Sequence, residues 1–346
     1  MLSGLRQRYF PKGIRRAARK QYARVFRRTT RRGLANALRG LDIAEGAPVC
    51  VHSMLSGLGY LVGGPDTVLD AVQDAVSGCT IMMPTFTFGG TCESYLADDP
   101  LYDRTKTPSM SGLLTNTLWL REGAQRSLHP THPCAALGPE AATLIDGSEH
   151  ATTPFGDDST YGRYSARGDA ELLLLHTNNT SLVHRFQEVA ATPHLFLDGV
   201  RTACGLDAVG REATYEVRVH RPLVPLYVIL RGDKPDDREY LWLPDYCLPA
   251  PDYNRMRISA GLRSGRVRDF LFGRHAQFVK DGVIRTVHFK GAELIAVRVR
   301  PYLERICTDL RTSYAEFADE YALDELERAR TAGFLSKESE RPTRMG

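Results

Sequence analysis

The chain has 346 residues, 42% of them hydrophobic and 25% charged, with a formal net charge of +4. That length suffices for one large domain or two small ones; no apolar run reaches the ~18 residues that span a bilayer, and the first residues lack the apolar stretch of a secretory signal. The seven cysteines, Cys50, Cys79, Cys92, Cys134, Cys204, Cys247 and Cys307, form no CxxC pair, which points to reduced thiols in a cytoplasm rather than to a disulfide framework or a zinc knuckle.

Thirteen of the 45 Lys and Arg residues precede Asp42, the first acidic residue, so a strongly basic arm joins an acidic body. Leu5, Tyr9, Ile14, Ala18, Tyr22, Val25 and Phe26 recur in the arm at helical spacing. Such an arm suits anionic lipid, nucleic acid, or the acidic body of its own chain or of a subunit mate.

The spacing predicts a helix over 31–41, a turn over 43–46 and a strand over 49–52. Gly63 and Gly64 permit a tight turn, Pro65 fits the first turn of a helix, and Asp66 to Ser77 continues it through Val68, Leu69, Val72 and Val76. The open amides of such a helix start can hold a phosphate, although no Gly-Lys-Ser/Thr follows to make a P-loop. Thr80 to Pro84 reads as the next strand, and this β-α-β order implies a parallel pair with a right-handed crossover. Residues 87–107 lack periodicity and read as a loop. A helix is expected over 111–119, strands over 134–137 and 172–175, and a helix from Ser181 with Leu182, Phe186 and Val189 on its apolar side. Strands follow at 215–219, 226–230 and 240–243, helical signals return after Arg255 and at 301–306, and a disordered end is expected from Ser336. The expected fold is α/β, with a mostly parallel central sheet flanked by helices and an irregular C-terminal part.

His184 and Glu188 lie four apart, on one face of the predicted helix. A carboxylate on one imidazole nitrogen fixes the tautomer and stabilises the imidazolium, as a general base needs; the same spacing also describes an ordinary surface pair. Thr180 and Ser181 fit both as helix caps and as oxyanion donors. His129 and His132 flank Pro130, but no third residue completes a metal set.

Several segments occur in a characteristic order: Val51-His52-Ser53-Met54-Leu55-Ser56-Gly57-Leu58-Gly59-Tyr60 with Val62-Gly63-Gly64-Pro65-Asp66, then Met83-Pro84-Thr85-Phe86, Thr107-Pro108-Ser109-Met110-Ser111-Gly112, Arg126-Ser127-Leu128-His129-Pro130-Thr131-His132, Phe155-Gly156-Asp157-Asp158-Ser159-Thr160-Tyr161-Gly162-Arg163, Asn179-Thr180-Ser181-Leu182 and, more weakly, Gly291-Ala292-Glu293. Together they resemble the aminoglycoside 3-N-acetyltransferase family over roughly residues 35–310. The resemblance implies an acyltransferase domain over 35–310, between a basic arm (1–34) and a charged C-terminal segment (311–346). It implies acetyl-CoA as co-substrate, no metal, and His184, Glu188 and Thr180 as catalytic residues. His52, Ser53, Met54, Gly63, Gly64, Thr85, Ser109, Arg126 and Ser127 would line the coenzyme A site; His129, Asp157, Asp158 and His176 would line the acceptor site.

Three positions depart from the family pattern. Val183 stands where the family commonly has its His, with His184 next and Glu188 four residues on rather than three. Leu175-His176-Thr177-Asn178 replaces a segment that commonly carries an acid, which makes His176 a rival base. Pro133 follows the second His, where a small residue is usual. The expected activity is acyl-CoA-dependent N-acylation of a primary amine on an amino sugar or related metabolite. Antibiotic inactivation and a non-catalytic, nucleic-acid-binding relative are its rivals. Expected partners are the amine, acyl-CoA, an anionic membrane surface met by residues 1–34 and a second copy of the chain, in a cytoplasmic location or at the inner membrane face.

Overall fold

A computed structural model describes residues 21–177, 180–189, 191, 195–197, 199–220, 223–230, 238–244 and 275–309. The arm before residue 21, the Asn178-Asn179 pair, the helical signal after Arg255 and the segment from 311 onward lie outside the described residues. Residues 21–26 are helical. The elements then run β1 (Arg28–Thr29), α1 (Arg31–Arg39), β2 (Pro48–Ser53), β3 (Tyr60–Leu61), α2 (Asp66–Ala75), β4 (Thr80–Pro84), α3 (Cys92–Ala97), β5 (Leu101–Tyr102), α4 (Leu113–Trp119), β6 (Gln125–Arg126), β7 (Cys134–Leu137), α5 (Ala141–Ile145), α6 (Thr160–Ala166), β8 (Glu171–Leu175), α7 (Leu182–Val189), β9 (Arg201–Leu206), β10 (Glu212–Val217), β11 (Leu223–Leu230), β12 (Arg238–Pro244), α8 (His275–Lys280), β13 (Ile284–Phe289), β14 (Ala292–Arg298) and α9 (Val299–Asp309).

Seven strands form the central sheet in the order β13-β14-β8-β2-β4-β7-β6. The α/β class is as expected, but the parallel part is confined to β8-β2-β4; the outer pairings β13-β14, β14-β8, β4-β7 and β7-β6 are antiparallel. Side chains of a strand point alternately to the two faces of its sheet, and here both faces are covered. Val49, Val51, Ile81, Met83, Leu173 and Leu175 pack with Leu34, Leu38, Val68, Leu69, Val72 and Leu118 on the side of α1, α2 and α4. Cys50, Met82, Leu172 and Leu174 pack with Leu144, Phe155, Tyr161, Tyr164 and Phe186 on the side of α5, α6 and α7. A sheet buried on both faces explains why these strands read as continuous apolar runs.

The 87–107 stretch is not featureless: it holds α3, capped by Thr91 Oγ1 accepting from Ser94 N at 3.0 Å, and β5. β5 adds in parallel to the β9-β10 hairpin, a separate three-stranded sheet. Strands β13 and β14 were not expected from the sequence; they extend the central sheet beyond β8. β1 belongs to the body as well. It pairs with β3, Thr29 is buried, and Thr29 Oγ1 donates to Leu58 O at 2.5 Å, so the chain joins the fold before residue 30.

One buried phenol ties the central strands together. Tyr164 Oη accepts from Cys50 N (3.2 Å) on β2 and donates to Glu171 O (2.5 Å) on β8. The parallel strands β2, β4 and β8 therefore end at one edge, where Ser53 lies opposite Leu175 and Pro84 opposite Cys134. The segments after β2, β4 and β8, and the segment entering β7, all leave from that edge. This is where open α/β sheets place their ligands.

Candidate active site

His184 lies on α7, half-buried, with its ring packed against Phe155 (ring centroids 5.2 Å apart) and His220 (5.1 Å). Its Nδ1 faces Gln187 Oε1 at 2.9 Å. An amide oxygen there accepts a hydrogen bond from Nδ1–H, which leaves the lone pair on Nε2. Burial pushes its pKa to about 3, with the neighbouring His220 adding to the effect, so the ring is neutral at physiological pH.

Glu188 does not meet His184. Its Oε1 accepts from His220 Nε2 (2.6 Å) and from Phe155 N (3.1 Å), and Thr153 Oγ1 donates to Oε2. The expected His184–Glu188 pair is thus replaced by two pairs, His184–Gln187 and His220–Glu188. The shared helix face does hold both residues, but a third element, the segment following β10, brings His220 to the carboxylate. The Glu188 and His220 side chains are only 6% and 7% exposed. His220 carries no spacing signal in the sequence, being 32 residues from its partner. Gln187, by contrast, occupies the third position after His184, where the resemblance described above implies a Glu.

Around this pair lies a cluster of rings. His132 packs edge-on against Phe86 (4.9 Å), Phe88 (5.2 Å) and Phe155 (5.4 Å), and its Nδ1 is 2.9 Å from Thr131 Oγ1. Burial and the charges that His129, His220 and His184 would carry hold its pKa well below the usual value. His129 is buried behind it, with Nδ1 accepting from His132 N (3.1 Å) and Thr131 N (3.3 Å), and its pKa falls to about 4. His129 Nδ1 thus holds the loop's own amides. Among the described residues, no three His, Cys, Asp or Glu side chains are grouped to hold a metal ion.

Thr180 Oγ1 accepts from Leu182 N (3.1 Å), capping α7, and lies 3.2 Å from His52 Nε2. His52 is half-buried at the end of β2, and burial lowers its pKa to about 4. Tyr161 Oη and Ser181 Oγ share a hydrogen at 2.8 Å beside them. His52, Thr180 and the start of α7 are thus brought together. Ser53 closes β2, and Met54, 51% exposed, is held by Met54 N donating to Leu175 O.

Several expected coenzyme contacts are spent inside the fold. Arg126 is buried; its guanidinium donates to Thr85 Oγ1 (3.0 Å), Thr85 O (3.0 Å) and Thr107 O (2.5 Å) and stacks over Trp119 and Tyr102. Thr85 Oγ1 in turn donates to Pro133 O, Ser109 Oγ shares a hydrogen with Thr115 Oγ1, and Ser127 Oγ accepts from Cys134 N. These four side chains brace the edge of the sheet through bonds within the fold. The turn at Gly63 (φ 104°) and Gly64 (φ 75°) forms as expected. Yet Gly64 N donates to Leu61 O, Thr67 N to Gly64 O and Val68 N to Pro65 O, and Asp66 pairs with Arg121 at 3.0 Å. Its amides are largely occupied.

On the acceptor side, Asp157 Oδ1 pairs with Arg185 Nη2 (2.5 Å), and Asp158 Oδ2 accepts from Thr152 N (3.2 Å). Both carboxylates hold the 152–158 loop around Phe155. His176, the rival base, has φ 55°; its N donates to Glu293 O (2.7 Å), and its ring fills the space a Cβ on Gly57 would need. It locks β14 and the segment after β2 together. An open cleft of about 560 Å³ lies beside Leu128 and Tyr215, with Glu149, Asp207 and Glu216 in its walls.

A family model described as aminoglycoside 3-N-acetyltransferase matches residues 50–222. The chain belongs to the aminoglycoside 3-N-acetyltransferase family. An aminoglycoside N(3)-acetyltransferase VIII of Streptomyces fradiae is 33% identical over 180 residues, covering 47% of this chain and 62% of that protein. An aminoglycoside N(3)-acetyltransferase VII of Streptomyces paromomycinus is 32% identical over 179 residues, with the same coverage. The chain thus matches less than two thirds of these relatives' length. Among solved structures, aminoglycoside acetyltransferase AAC(3)-Xa superposes with a TM-score of 0.61 at 23% identity, covering 82% of this chain and 93% of that one. AAC-IIIb in a binary complex with coenzyme A superposes with a TM-score of 0.60 at 20% identity, covering 82% and 96%. These superpositions show that the family's fold extends over the described body of the chain.

The buried imidazoles make stability depend on pH with a definite sign. The pKa values of His52 and His129 fall to about 4 in the folded protein, against about 6.5 for a free histidine. Their contribution is fully present above about pH 6.5 and is lost as pH falls toward 4, because only the unfolded chain takes up protons in that window. The melting temperature should therefore fall between about pH 6.5 and 4.5, and less steeply in His52→Gln than in the wild type. Equal slopes would show that His52 is not held neutral.

Proposed function

We propose that this protein is an acyl-CoA-dependent N-acyltransferase that passes an acetyl group from acetyl-CoA directly to a primary amine of an amino sugar or related metabolite. The observation that carries this reading is the neutral His184, with Nε2 carrying the lone pair, at the carboxyl edge of the parallel strands. Membership of the family and the coenzyme A complex of AAC-IIIb support the choice of donor.

The residues present suit a thioester and an amine. His184 Nε2 accepts an N–H of the incoming amine and directs its lone pair at the carbonyl carbon. The Thr180 hydroxyl, shared with His52, offers a donor to the oxygen that becomes negative. The rings of Phe86, His132 and Phe155 exclude water, which strengthens these polar contacts. Coenzyme A supplies an activated acyl group with a thiolate as leaving group. The names of the curated relatives favour an aminoglycoside as a second reading of the acceptor.

The basic arm supports a peripheral role. Tyr22, Val25 and Phe26 are 58%, 56% and 71% exposed, with the Tyr22 and Phe26 rings 5.0 Å apart, beside Arg24, Arg27 and Arg28. Aromatic side chains among arginines fit the interface of an anionic bilayer. The full chain should co-sediment with phosphatidylserine-rich vesicles at low salt and be released at high salt. Indifference to such vesicles at low ionic strength would remove this part of the reading.

Coenzyme A should raise the melting temperature, because a ligand that binds only the native state stabilises it. Acetyl-CoA cleavage, followed across amino sugars, nucleotide-linked amino sugars and aminoglycosides, should depend on one acceptor class. His184→Ala should lower kcat by about 10²-fold or more with the coenzyme A melting shift retained. An unchanged melting temperature at millimolar coenzyme A, with no amine-dependent cleavage, would contradict the proposal.

A further inference from the structure

We propose that His220, backed by Glu188, is a catalytic residue of this acyl transfer, and that its Nδ1, not His184, takes the proton the amine loses. The inference rests on the acyltransferase reading given above and assigns the proton within it.

A base that takes the amine's proton ends the step as an imidazolium, and that charge needs a counter-charge. His184 lacks one, because its partner is the neutral Gln187 amide, which fixes a tautomer without stabilising a cation. His220 has the Glu188 carboxylate at 2.6 Å. That carboxylate is in turn fixed by Phe155 N and the Thr153 hydroxyl, so its orientation is set before any substrate arrives. Nε2–H donating to Glu188 leaves the lone pair of neutral His220 on Nδ1.

Nδ1 is buried and has no hydrogen-bond partner among the described residues. A buried nitrogen left unsatisfied is costly, so it calls for a reason beyond packing. The ring lies 5.1 Å from that of His184, 5.3 Å from Phe155 and 4.8 Å from Phe196, which places it in the same cluster. The titratable groups facing it are Glu188 and His184 from α7 and His132 from the loop before β7. Two of these three are imidazoles held neutral by burial, leaving Glu188 as the nearby charge.

The step balances without a further reactant. As the nitrogen lone pair forms the C–N bond and the C–S bond breaks with its electrons on sulfur, His220 Nδ1 accepts the proton leaving nitrogen. The imidazolium then returns that proton to the thiolate, and His220 is neutral again.

The experiment compares wild type, His220→Asn, Glu188→Gln and His184→Asn by steady-state kinetics against pH, with the coenzyme A melting shift as the control for folding and binding. His220→Asn should lower kcat by about 10²- to 10⁴-fold with the KM for acetyl-CoA nearly unchanged. Glu188→Gln should move the acid limb of kcat/KM to lower pH, since an imidazolium without its carboxylate sheds its proton more readily. His184→Asn should lower the rate and leave that limb in place. A folded, coenzyme A-binding His220→Asn with wild-type kcat, or an acid limb unmoved in Glu188→Gln, would overturn the inference. Nitrogen-15 spectra of the wild-type imidazoles decide the same point without turnover. The proton of neutral His220 should sit on Nε2, and its imidazolium form should appear only at lower pH in Glu188→Gln; a proton resident on Nδ1 of the neutral ring would overturn the assignment. If wild type neither binds coenzyme A nor cleaves acetyl-CoA, the acyltransferase reading fails by itself.

Discussion

The Glu188 carboxylate is the contact on which the candidate site depends. It joins three stretches that are distant in the chain: α7, which carries it; the 152–158 loop, through Thr153 and Phe155; and the segment after β10, through His220. A carboxylate this deeply buried persists only when its lone pairs are met by donors. Each donor it takes also positions something else. The Phe155 amide sets the ring against which His132, His184 and His220 pack, and the His220 contact draws the β9-β10 sheet toward α7. Arg185 strengthens the same arrangement by bonding Phe155 O, Asp157 and Ser165.

Behind the site stands a simpler constraint. Three parallel strands, covered on both faces, deliver their carboxyl ends to one edge, and the buried Tyr164 hydroxyl links β2 to β8 across the sheet. The edge is stiffened by a buried arginine used as a strut. Arg126 has no carboxylate partner among its hydrogen bonds; it satisfies carbonyls of Thr85 and Thr107 and lies over two aromatic faces. Burial lowers its pKa, yet the guanidinium remains charged because its donors are used. A lysine there would keep the charge and lose the planar fork.

Much of the body was legible in the sequence because its signals are local. The runs at 49–52, 80–84 and 172–175 are continuous and apolar, as strands buried on both faces must be, and the 66–77 pattern has helical period; each is found within a few residues of its expected place. The antiparallel outer pairings were not legible, because neighbouring strands leave no mark of their relative direction in either sequence. β13 and β14 were missed for a related reason: they lie more than a hundred residues from β8, whose edge they complete. The site was legible in part. The order of short motifs placed His52, Thr180, His184 and Glu188 in one region, and the structure brings all four to the carboxyl edge of the sheet or onto α7. Hydrogen bonding inside that region was not legible. Helical spacing allows Glu188 to meet His184, but the carboxylate goes to the better-placed donor, and that donor comes from the segment after β10. The internal bonds of Arg126, Ser109 and Ser127 were not legible either. Polar residues in a motif look available in sequence, whereas at the end of a buried strand they first satisfy the backbone around them.

The most direct test of the account is a crystal structure of the full chain with coenzyme A and a non-reactive analogue of the acceptor amine. The account predicts the sulfur and the acceptor nitrogen side by side at the cluster of His132, Phe155, His184 and His220. A sulfur bound elsewhere, at the Gly63–Asp66 turn or in the cleft between Glu149 and Asp207, would contradict it.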